Sequence, residues 1–222
     1  MAGTTKSPIA KSSKVDTRKS LLTAGMTLLI RKGYTATSIN DVVEIAGVPK
    51  GSFYYYYKTK NDFVEAALME YAEEKRAIMK THLGNREISP LNRVRSLFAN
   101  FVLKMQAENF ETGCLMGHMC QEMANASPQL REQINIINQI WQEGHRNVFQ
   151  QAIESGELPA DTNITALIQC MCMLMQGAML ESKITRDIRS FQHAHWLLFE
   201  QIGKPNHRLD DEIEALLAIP QL

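Results

Sequence analysis

The chain has 222 residues, with 24 Lys and Arg against 24 Asp and Glu, and 45% of its residues are hydrophobic. This is the composition of a globular protein with a substantial core, and it excludes a disordered, collagenous or acidic-tail protein. The most apolar stretch, residues 164–180, is interrupted by Gln169 and Gln176 and falls short of the ~20 apolar residues of a membrane span. Sparse cysteines and the lack of an apolar leader predict a reducing, cytoplasmic location.

Basic and acidic residues are unevenly distributed along the chain. Residues 1–60 contain ten Lys and Arg but three Asp and Glu, whereas residues 61–222 contain 14 basic and 21 acidic residues. A basic module joined to a larger acidic one favours a polyanion partner for the first part only. A solvated basic tail is the alternative, because three of the ten bases precede Val15.

Apolar residues recur at helical spacing from Thr17 onward, and no segment alternates with period two, so the predicted fold class is all-α. Gly33 and Gly47 are placed to end the first two helices. Ser38 and Thr59 each precede an Asp by three residues, the pattern of a capping box at a helix start. The predicted helices cover about 17–33, 39–46, 50–56, 59–80, 90–107, 112 onward, 128–155, 161–182 and 186–202, with a short amphipathic stretch at 212–217.

The second and third helices form a helix-turn-helix pattern, with Gly47 in the turn between them. The third helix contains four consecutive tyrosines, residues 54–57. Four successive positions cover every side of a helix, so the four rings cannot all be buried. Tyrosine hydroxyls suit phosphate oxygens and base edges, whereas an aromatic cluster bracing the next helix would explain one or two of them, Tyr57 above all.

Residues 37–63, TSINDVVEIAGVPKGSFYYYYKTKNDF, resemble the DNA-binding signature of the TetR family of transcriptional repressors. That signature usually reads T-x-x-x-I-A-x-x-A-G-V-S-x-G-x-[LIF]-Y-x-[HY]-F-x-[ST]-K-x-x-[LF]. The turn glycine, the aromatic pair and Lys60 keep their spacing, and the match covers about 45 residues with the first helix. Val43, Pro49 and Tyr57 replace the usual Ala, Ser and Phe.

The resemblance implies a homodimer whose two protruding helices bind a palindromic operator in double-stranded DNA. By motif position, Thr37, Tyr55 and Lys60 would contact phosphates, and the start of the third helix would face the major groove. Lys14 and Arg18 would add contacts near the first helix. The residues expected at the DNA are Thr37, Ser38, Lys50, Gly51, Ser52, Tyr54, Tyr55 and Lys60.

The predicted organisation has four parts. They are a flexible basic arm at 1–14, a helix-turn-helix domain at 15–60, an effector-binding and dimerisation domain at 61–205, and a tail at 206–222. In the family, the last two long helices pair with their dyad mates in a four-helix bundle. Here those would be 161–182 and 186–202, with Phe191, Trp196 and Phe199 as anchors.

The segment 111–123, ETGCLMGHMCQEM, contains a candidate thiol site. Thr112 can cap the helix that starts here, which would place Cys114 in the first turn, where the helix dipole and free N–H groups favour the nucleophilic thiolate. His118 and Glu122 follow at intervals of four residues on the same face. A buried structural cysteine is the alternative interpretation.

The pattern Gly-Cys-Leu-x-Gly-x-x-x-Gln-Glu within this segment resembles a TetR subgroup. That subgroup includes repressors responding to electrophiles and oxidants such as N-ethylmaleimide, and others responding to small unsaturated acids. Trp141 and His145 share a helix face and are candidates for the pocket, as is Met175 in the methionine-rich helix at 161–182. An interface Trp, an exposed His and ordinary core methionines are the alternatives.

Other site chemistries are disfavoured. Cys114, His118 and Glu122 could ligate a metal, but structural zinc normally needs four ligands, so neither a metal nor a cofactor is expected. No Gly-rich phosphate loop, acid pair or metal cluster indicates an enzyme, although a Cys–His hydrolase would use the same pair.

The predicted function is a ligand- or electrophile-responsive dimeric repressor, released from its operator by effector binding or by modification of Cys114. A repressor with a non-covalent hydrophobic or unsaturated-acid effector is the alternative, and an activator would look the same. From another class, a helical dimerisation protein without specific DNA binding stays open.

Lys60→Ala is expected to weaken binding to every DNA sequence, because a phosphate contact carries no sequence information. The slope of log affinity against log salt should flatten by roughly one unit. Fluorescence anisotropy over a salt series measures it, and an unchanged slope would contradict the phosphate assignment.

Overall fold

The computed structural model describes residues 14–203 and 209–218, with side chains from residue 17 onward. Within those ranges the regular structure is helical, as predicted, and the all-α class is confirmed. The helices are α1 (Lys14–Lys32), α2 (Ile39–Ala46), α3 (Lys50–Tyr56), α4 (Lys60–Leu83), α5 (Pro90–Ala107), α6 (Leu115–Met123), α7 (Pro128–Glu154), α8 (Ile164–Thr185), α9 (Arg189–Trp196) with a π-helical turn (Leu197–Ile202), and α10 (Asp211–Leu217).

Two predicted segments lie partly outside the described residues. The basic arm at 1–14 is described only at the backbone of its last residue, Lys14, and the tail at 206–222 only over 209–218.

The start signals of α2 and α4 act as the sequence predicts. Ser38 and Thr59 accept hydrogen bonds from the backbone N–H groups three residues on, and the Asp carboxylates return the bond to the cap residues. Gly47 ends α2 in the left-handed conformation, with φ +66°. The helix-turn-helix geometry therefore follows from local signals in the sequence.

The start of α6 differs from its prediction. Thr112 does not cap this helix, because its hydroxyl is buried and points to Sδ of Met105 at 3.7 Å. Asn109 and Phe110 adopt positive φ angles of +50° and +55°, so the chain is still turning where the helix was expected to begin. Cys114 is the N-cap residue and lies just before the first turn.

The last long helices also have different bounds from those predicted. α8 begins after Asn163, whose side chain accepts from the N–H of Ala166, and it ends at a left-handed Arg186. The predicted helix at 186–202 is therefore α9 followed by the π-helical turn. By length and composition, α8 is the one described helix that is apolar enough to cross a membrane, with a mean hydropathy of 1.4.

Two hydrophobic cores are joined by shared helices. We call α1–α3 the head and α4–α10 the body. The first core holds the head to the start of α4, to α6 and to the start of α7, around Leu21, Phe53 and Phe63. The second core lies within the body, around Val102 and Phe191. Because α4 contributes to both, head and body are continuous.

Glu157, in the loop after α7, caps the N-terminus of α5. The N-cap residue of α5, Ser89, makes no side-chain capping bond of its own. Glu157 is 1% exposed, and its carboxylate accepts from the hydroxyl of Ser89 and from the N–H of Leu91. A buried carboxylate at a helix N-terminus is stabilised by those donors and by the helix dipole. This contact holds the α7–α8 connection against α5.

Glu157→Ala should lower the free energy of unfolding by about 2–3 kcal/mol, because it leaves buried donors without their acceptor. Urea unfolding followed by circular dichroism measures the change. Glu154→Ala, at an exposed carboxylate on the same segment, is the control and should shift stability by less than about 0.5 kcal/mol. Equal effects in both variants would contradict the capping role.

Candidate effector cavity and DNA-binding surface

The aromatic residues of α3 and of its C-cap, Tyr57, differ in exposure to solvent. Tyr54 and Tyr55 are exposed, the latter by 67%, whereas Tyr57 is 5% exposed. Tyr57 and Phe53 pack on Phe63 at the start of α4, with ring centroids 5.1 Å apart in each pair. The prediction that the four tyrosines divide between surface and core, with Tyr57 inside, is confirmed.

Most of the other residues expected at the DNA are exposed to solvent. Lys50 and Gly51 are exposed at the start of α3, with Ser52 half-buried beside them, and Ser38 is exposed while it caps α2. Arg18 is exposed on α1.

Thr37 is a correction to the expected phosphate contacts. It is 2% exposed, and its hydroxyl donates to the carbonyl of Gly33 at 2.7 Å. Its side chain therefore fixes the loop between α1 and α2 and offers nothing to DNA in this structure.

Lys60 also bonds within the protein. Its ammonium donates to the carbonyl of Tyr34 at 2.6 Å and lies 3.9 Å from the centre of the Tyr34 ring. An ammonium carries three donors, so the phosphate contact stays a prediction.

The body contains an apolar cavity of about 210 Å³, which we call the first cavity. It lies among α4, α5, α7 and α8, with the beginning of α6 at one side. The structure brings four of the predicted residues to it, and these are Cys114, Trp141, His145 and Met175. A mostly apolar cavity with a few polar groups is the usual form of a small-molecule site.

Trp141 and His145 form a stacked pair at the wall of the first cavity, with ring centroids 4.0 Å apart. His145 is 1% exposed, so the alternative of an exposed histidine is wrong. Burial lowers its pKa to about 4, and the ring is neutral at physiological pH. Its Nδ1 donates to the carbonyl of Trp141 at 2.9 Å, which leaves Nε2 as an acceptor.

Cys114 is half-buried at the wall of the first cavity, and its thiol lies 3.9 Å from the hydroxyl of Tyr71. Burial raises the pKa of Tyr71 well above its ordinary value, so that hydroxyl stays protonated. The thiol therefore has a neutral hydroxyl as its neighbour, and His118, which the sequence suggested as its partner, contacts other groups.

His118 and Glu122 do not join Cys114 in one site, which corrects the prediction from spacing. His118 donates from Nδ1 to the Leu29 carbonyl at 3.3 Å and accepts at Nε2 from Lys183 at 3.1 Å. Residues four apart on a helix advance by about 400°, so two such steps turn the direction by about 80°. Cys114 itself is the N-cap residue, outside the helical turns that carry His118 and Glu122.

Glu122 instead connects α6 to the head. Its two carboxylate oxygens accept from the backbone N–H groups of Tyr34 and Thr35, at 3.0 and 2.6 Å. Gly33, with φ +78°, makes the turn that exposes these N–H groups, and a Cβ on it would collide with the carboxylate. Burial by itself would raise the pKa of Glu122, but the hydrogen bonds from Thr35 and Tyr34 outweigh it and lower the pKa.

Gly117 of α6 lies close to the side chain of Gln176 on α8. A Cβ on Gly117 would lie 2.7 Å from Oε1 of Gln176 on α8, closer than real side-chain carbons approach. A side chain at this position would therefore require the end of Gln176 to move.

Sequence reasoning missed Tyr71, Lys75 and Lys183. Tyr71 and Lys75 line the first cavity, and Lys183 bonds His118. One signal was available for the first two, because Ala67, Tyr71, Lys75 and Met79 follow each other at intervals of four on one stripe of α4. A lysine within an otherwise apolar stripe indicates a cation facing the interior.

The described residues contain no group of three His, Cys, Asp or Glu side chains placed to hold a metal ion. Glu122 is bonded to the head loop and His118 to Lys183, so the two proposed ligands are already engaged.

A helix-turn-helix head with an exposed recognition helix, joined to a helical body that encloses an apolar cavity, defines a ligand-responsive DNA-binding regulator. Residues 21–67 match the family described as "Bacterial regulatory proteins, tetR family", and residues 90–197 match "Tetracyclin repressor-like, C-terminal domain". The chain belongs to the TetR family of transcriptional regulators. Members of this family are soluble DNA-binding proteins that act as dimers, and they are regulators, not enzymes.

Proteins similar in sequence to this chain are also transcriptional regulators. The transcriptional regulator AcuR of Cereibacter sphaeroides is 32% identical over 167 residues, which cover 75% of this chain and 76% of AcuR. The transcriptional repressor NemR of Escherichia coli K12 is 26% identical over 191 residues, 83% of this chain and 92% of NemR.

Solved structures share the fold. A regulatory protein TetR from Rhodobacter sphaeroides superimposes with a TM-score of 0.80 at 27% identity, covering 84% of this chain and 98% of that one. Reduced NemR from E. coli gives a TM-score of 0.75 at 22% identity, covering 86% and 100%.

Glu122→Gln should lower the melting temperature at pH 7 by roughly 3 °C, because the charged acceptor of two N–H groups is lost. The pKa of Glu122 is lower in the folded state, so its stabilisation is complete above the ordinary glutamate pKa and disappears as the pH falls through the folded value. The difference from wild type should therefore shrink on acidification.

Differential scanning calorimetry over a pH series measures this difference. Glu74→Gln, at an exposed carboxylate of α4, is the control and should show no such trend. A gap that stays constant, or widens, as the pH falls would contradict the charge-assisted contact.

Proposed function

We propose that this chain is a cytoplasmic, homodimeric repressor that leaves a palindromic operator when an effector occupies the first cavity or modifies Cys114. The observation that carries the proposal is the position of α6. Its N-cap residue, Cys114, lies at the cavity, and its last turn bonds the head through Glu122. A ligand at one end of α6 therefore acts on a helix that holds the head at the other.

The DNA contacts are assigned to the exposed side of the helix-turn-helix. Lys50, Ser52 and Tyr54 would read the major groove, Tyr55 and Lys60 would contact phosphates, and Gly51 allows close approach of the backbone. Support comes from the exposure of Lys50, Tyr54 and Tyr55 and from the basic composition of residues 1–60. Two such heads related by a dyad require a palindromic operator.

Dimerisation is assigned to α8 and α9, which leave large apolar side chains uncovered in the single chain. Ile184 is 78% exposed, and Met173, Leu180 and Trp196 are also exposed. An exposed apolar face of this kind favours a protein partner, and a second copy would bury it. Two of the expected anchors do not belong to this face.

Phe191 and Phe199 are those two anchors, and they are buried within their own chain. Their rings pack on Phe98 of α5, with centroids 6.4 and 6.1 Å away. Trp196, which is exposed, keeps its proposed role at the dimer surface.

Covalent sensing at Cys114 is supported by its half-buried position at the cavity wall, and NemR, which this chain resembles, is a repressor of the same family. With N-ethylmaleimide the thiol would add across the ring C=C bond. The sulfur forms a bond to one carbon, and the proton passes to the neighbouring carbon. The added group would occupy the first cavity beside Tyr71 and shift the equilibrium toward a conformation that no longer fits the operator.

DNA binding in the presence of an electrophile tests the proposal. The protein is titrated into labelled DNA from the region upstream of its own gene, with and without one equivalent of N-ethylmaleimide, and anisotropy is recorded. Wild type should bind tightly and lose at least roughly tenfold in affinity on alkylation, whereas Cys114→Ser should keep its affinity. Cys120→Ser, at an exposed cysteine on the same helix, is the matched control and should respond like wild type.

Each of the other outcomes contradicts a different part of the proposal. Release of Cys114→Ser by the electrophile would exclude this thiol as the sensor. Binding that alkylation leaves unchanged would keep the repressor and favour a non-covalent hydrophobic or acidic effector. The absence of any salt-sensitive DNA binding would favour a helical dimerisation protein instead.

A further inference from the structure

A second cavity, of about 140 Å³, lies where the head meets the body. Its walls come from α1, α4, α5 and the loop before α6. The two cavities share four lining residues, so they adjoin each other. The shared residues are Tyr71, Lys75, Phe101 and Lys104.

The second cavity is rich in positive charge. Arg31 of α1, Lys75 of α4 and Lys104 of α5 line it, against one carboxylate, Glu108. Among the described residues, the lining of the first cavity contains neither Asp nor Glu. An excess of cations in a partly desolvated space attracts an anion, because one carboxylate compensates their mutual repulsion only in part.

Lys75 is the central cation of this group. Among the described residues no carboxylate lies within ion-pair distance of its ammonium, which is 4.9 Å from the centre of the Tyr71 ring. Burial, and then the charge of Lys104, lower its pKa. A group in this position gains more from an anionic ligand than a lysine in water does.

Glu108 offsets only part of the positive charge of these three cations. Its Oε1 lies 3.9 Å from the ammonium of Lys104, at the limit of an ion pair, and the distance is too long for a hydrogen bond. Its other oxygen is buried and has no hydrogen-bond partner among the described residues.

We propose that the second cavity is an anion subsite and that the effector is an amphipathic monoanion. Its apolar part occupies the first cavity, and its carboxylate lies between Lys75 and Lys104, beside Arg31 of the head. The inference rests on the proposed role of the first cavity as the effector site. It adds that the ligand contacts α1 directly, so the head has a second connection to the effector besides α6.

Calorimetric titration with hexanoate and hexanamide tests the subsite. The two compounds have nearly the same shape, differ in charge, and are saturated, so neither alkylates Cys114. Wild type should bind hexanoate roughly tenfold more tightly than hexanamide, as expected for one charge-assisted contact. Lys75→Gln should bind the two equally, and Lys80→Gln, at an exposed lysine on the same helix, should behave like wild type.

A second variant keeps the test independent of folding. Lys104 is half-exposed, so Lys104→Gln disturbs no core and should also reduce the preference for hexanoate. Equal binding of both compounds to wild type, or a preference that survives in both variants, would overturn the anion subsite and leave the first cavity intact. Failure of both compounds to bind wild type would overturn the subsite and the proposed effector cavity together.

Discussion

The backbone of Tyr34 is held from two sides, and the orientation of the head depends on these two contacts. Its N–H donates to Glu122 of α6, and its carbonyl accepts from Lys60 at the start of α4. Both bonds involve a charged partner, which makes each roughly twice as strong as a neutral hydrogen bond. The loop between α1 and α2 therefore cannot change position without moving α4 or α6.

Helix α6 has little freedom to move alone. Leu115, Met119 and Met123 on its inner face are buried in the core that holds the head. A helix of nine residues is about 13 Å long and stiff, so a displacement at its N-cap moves its last turn as well. Since packed interfaces adopt discrete arrangements, any response to a ligand would be a rigid-body shift of α6 with the head.

The structure of the head could be predicted from the sequence, whereas that of the segment around α6 could be predicted only in part. The difference is that the head depends on local signals and the α6 segment on distant contacts. Capping boxes, Gly47 and the tyrosine run are local signals, and each specifies structure within a few residues. The mistaken cap at Thr112 depended on the left-handed turn at Asn109 and Phe110, which has no such local signal. Glu122 was grouped with Cys114 by helix spacing, yet its partners lie 88 and 87 residues away.

The acidic composition of the body conceals the positive charge around its cavities. Residues 61–222 have more acidic than basic residues, whereas the described lining of the two adjoining cavities has one carboxylate, Glu108, among several cations. An acidic outer surface repels DNA phosphates, and so it favours contact through the basic head alone. Cations that line the cavities repel one another, and a bound anion would relieve that repulsion. The sign of a protein's net charge thus does not predict the sign of the charge on its ligand, because the charges that line a cavity and those on the rest of the surface act on different partners.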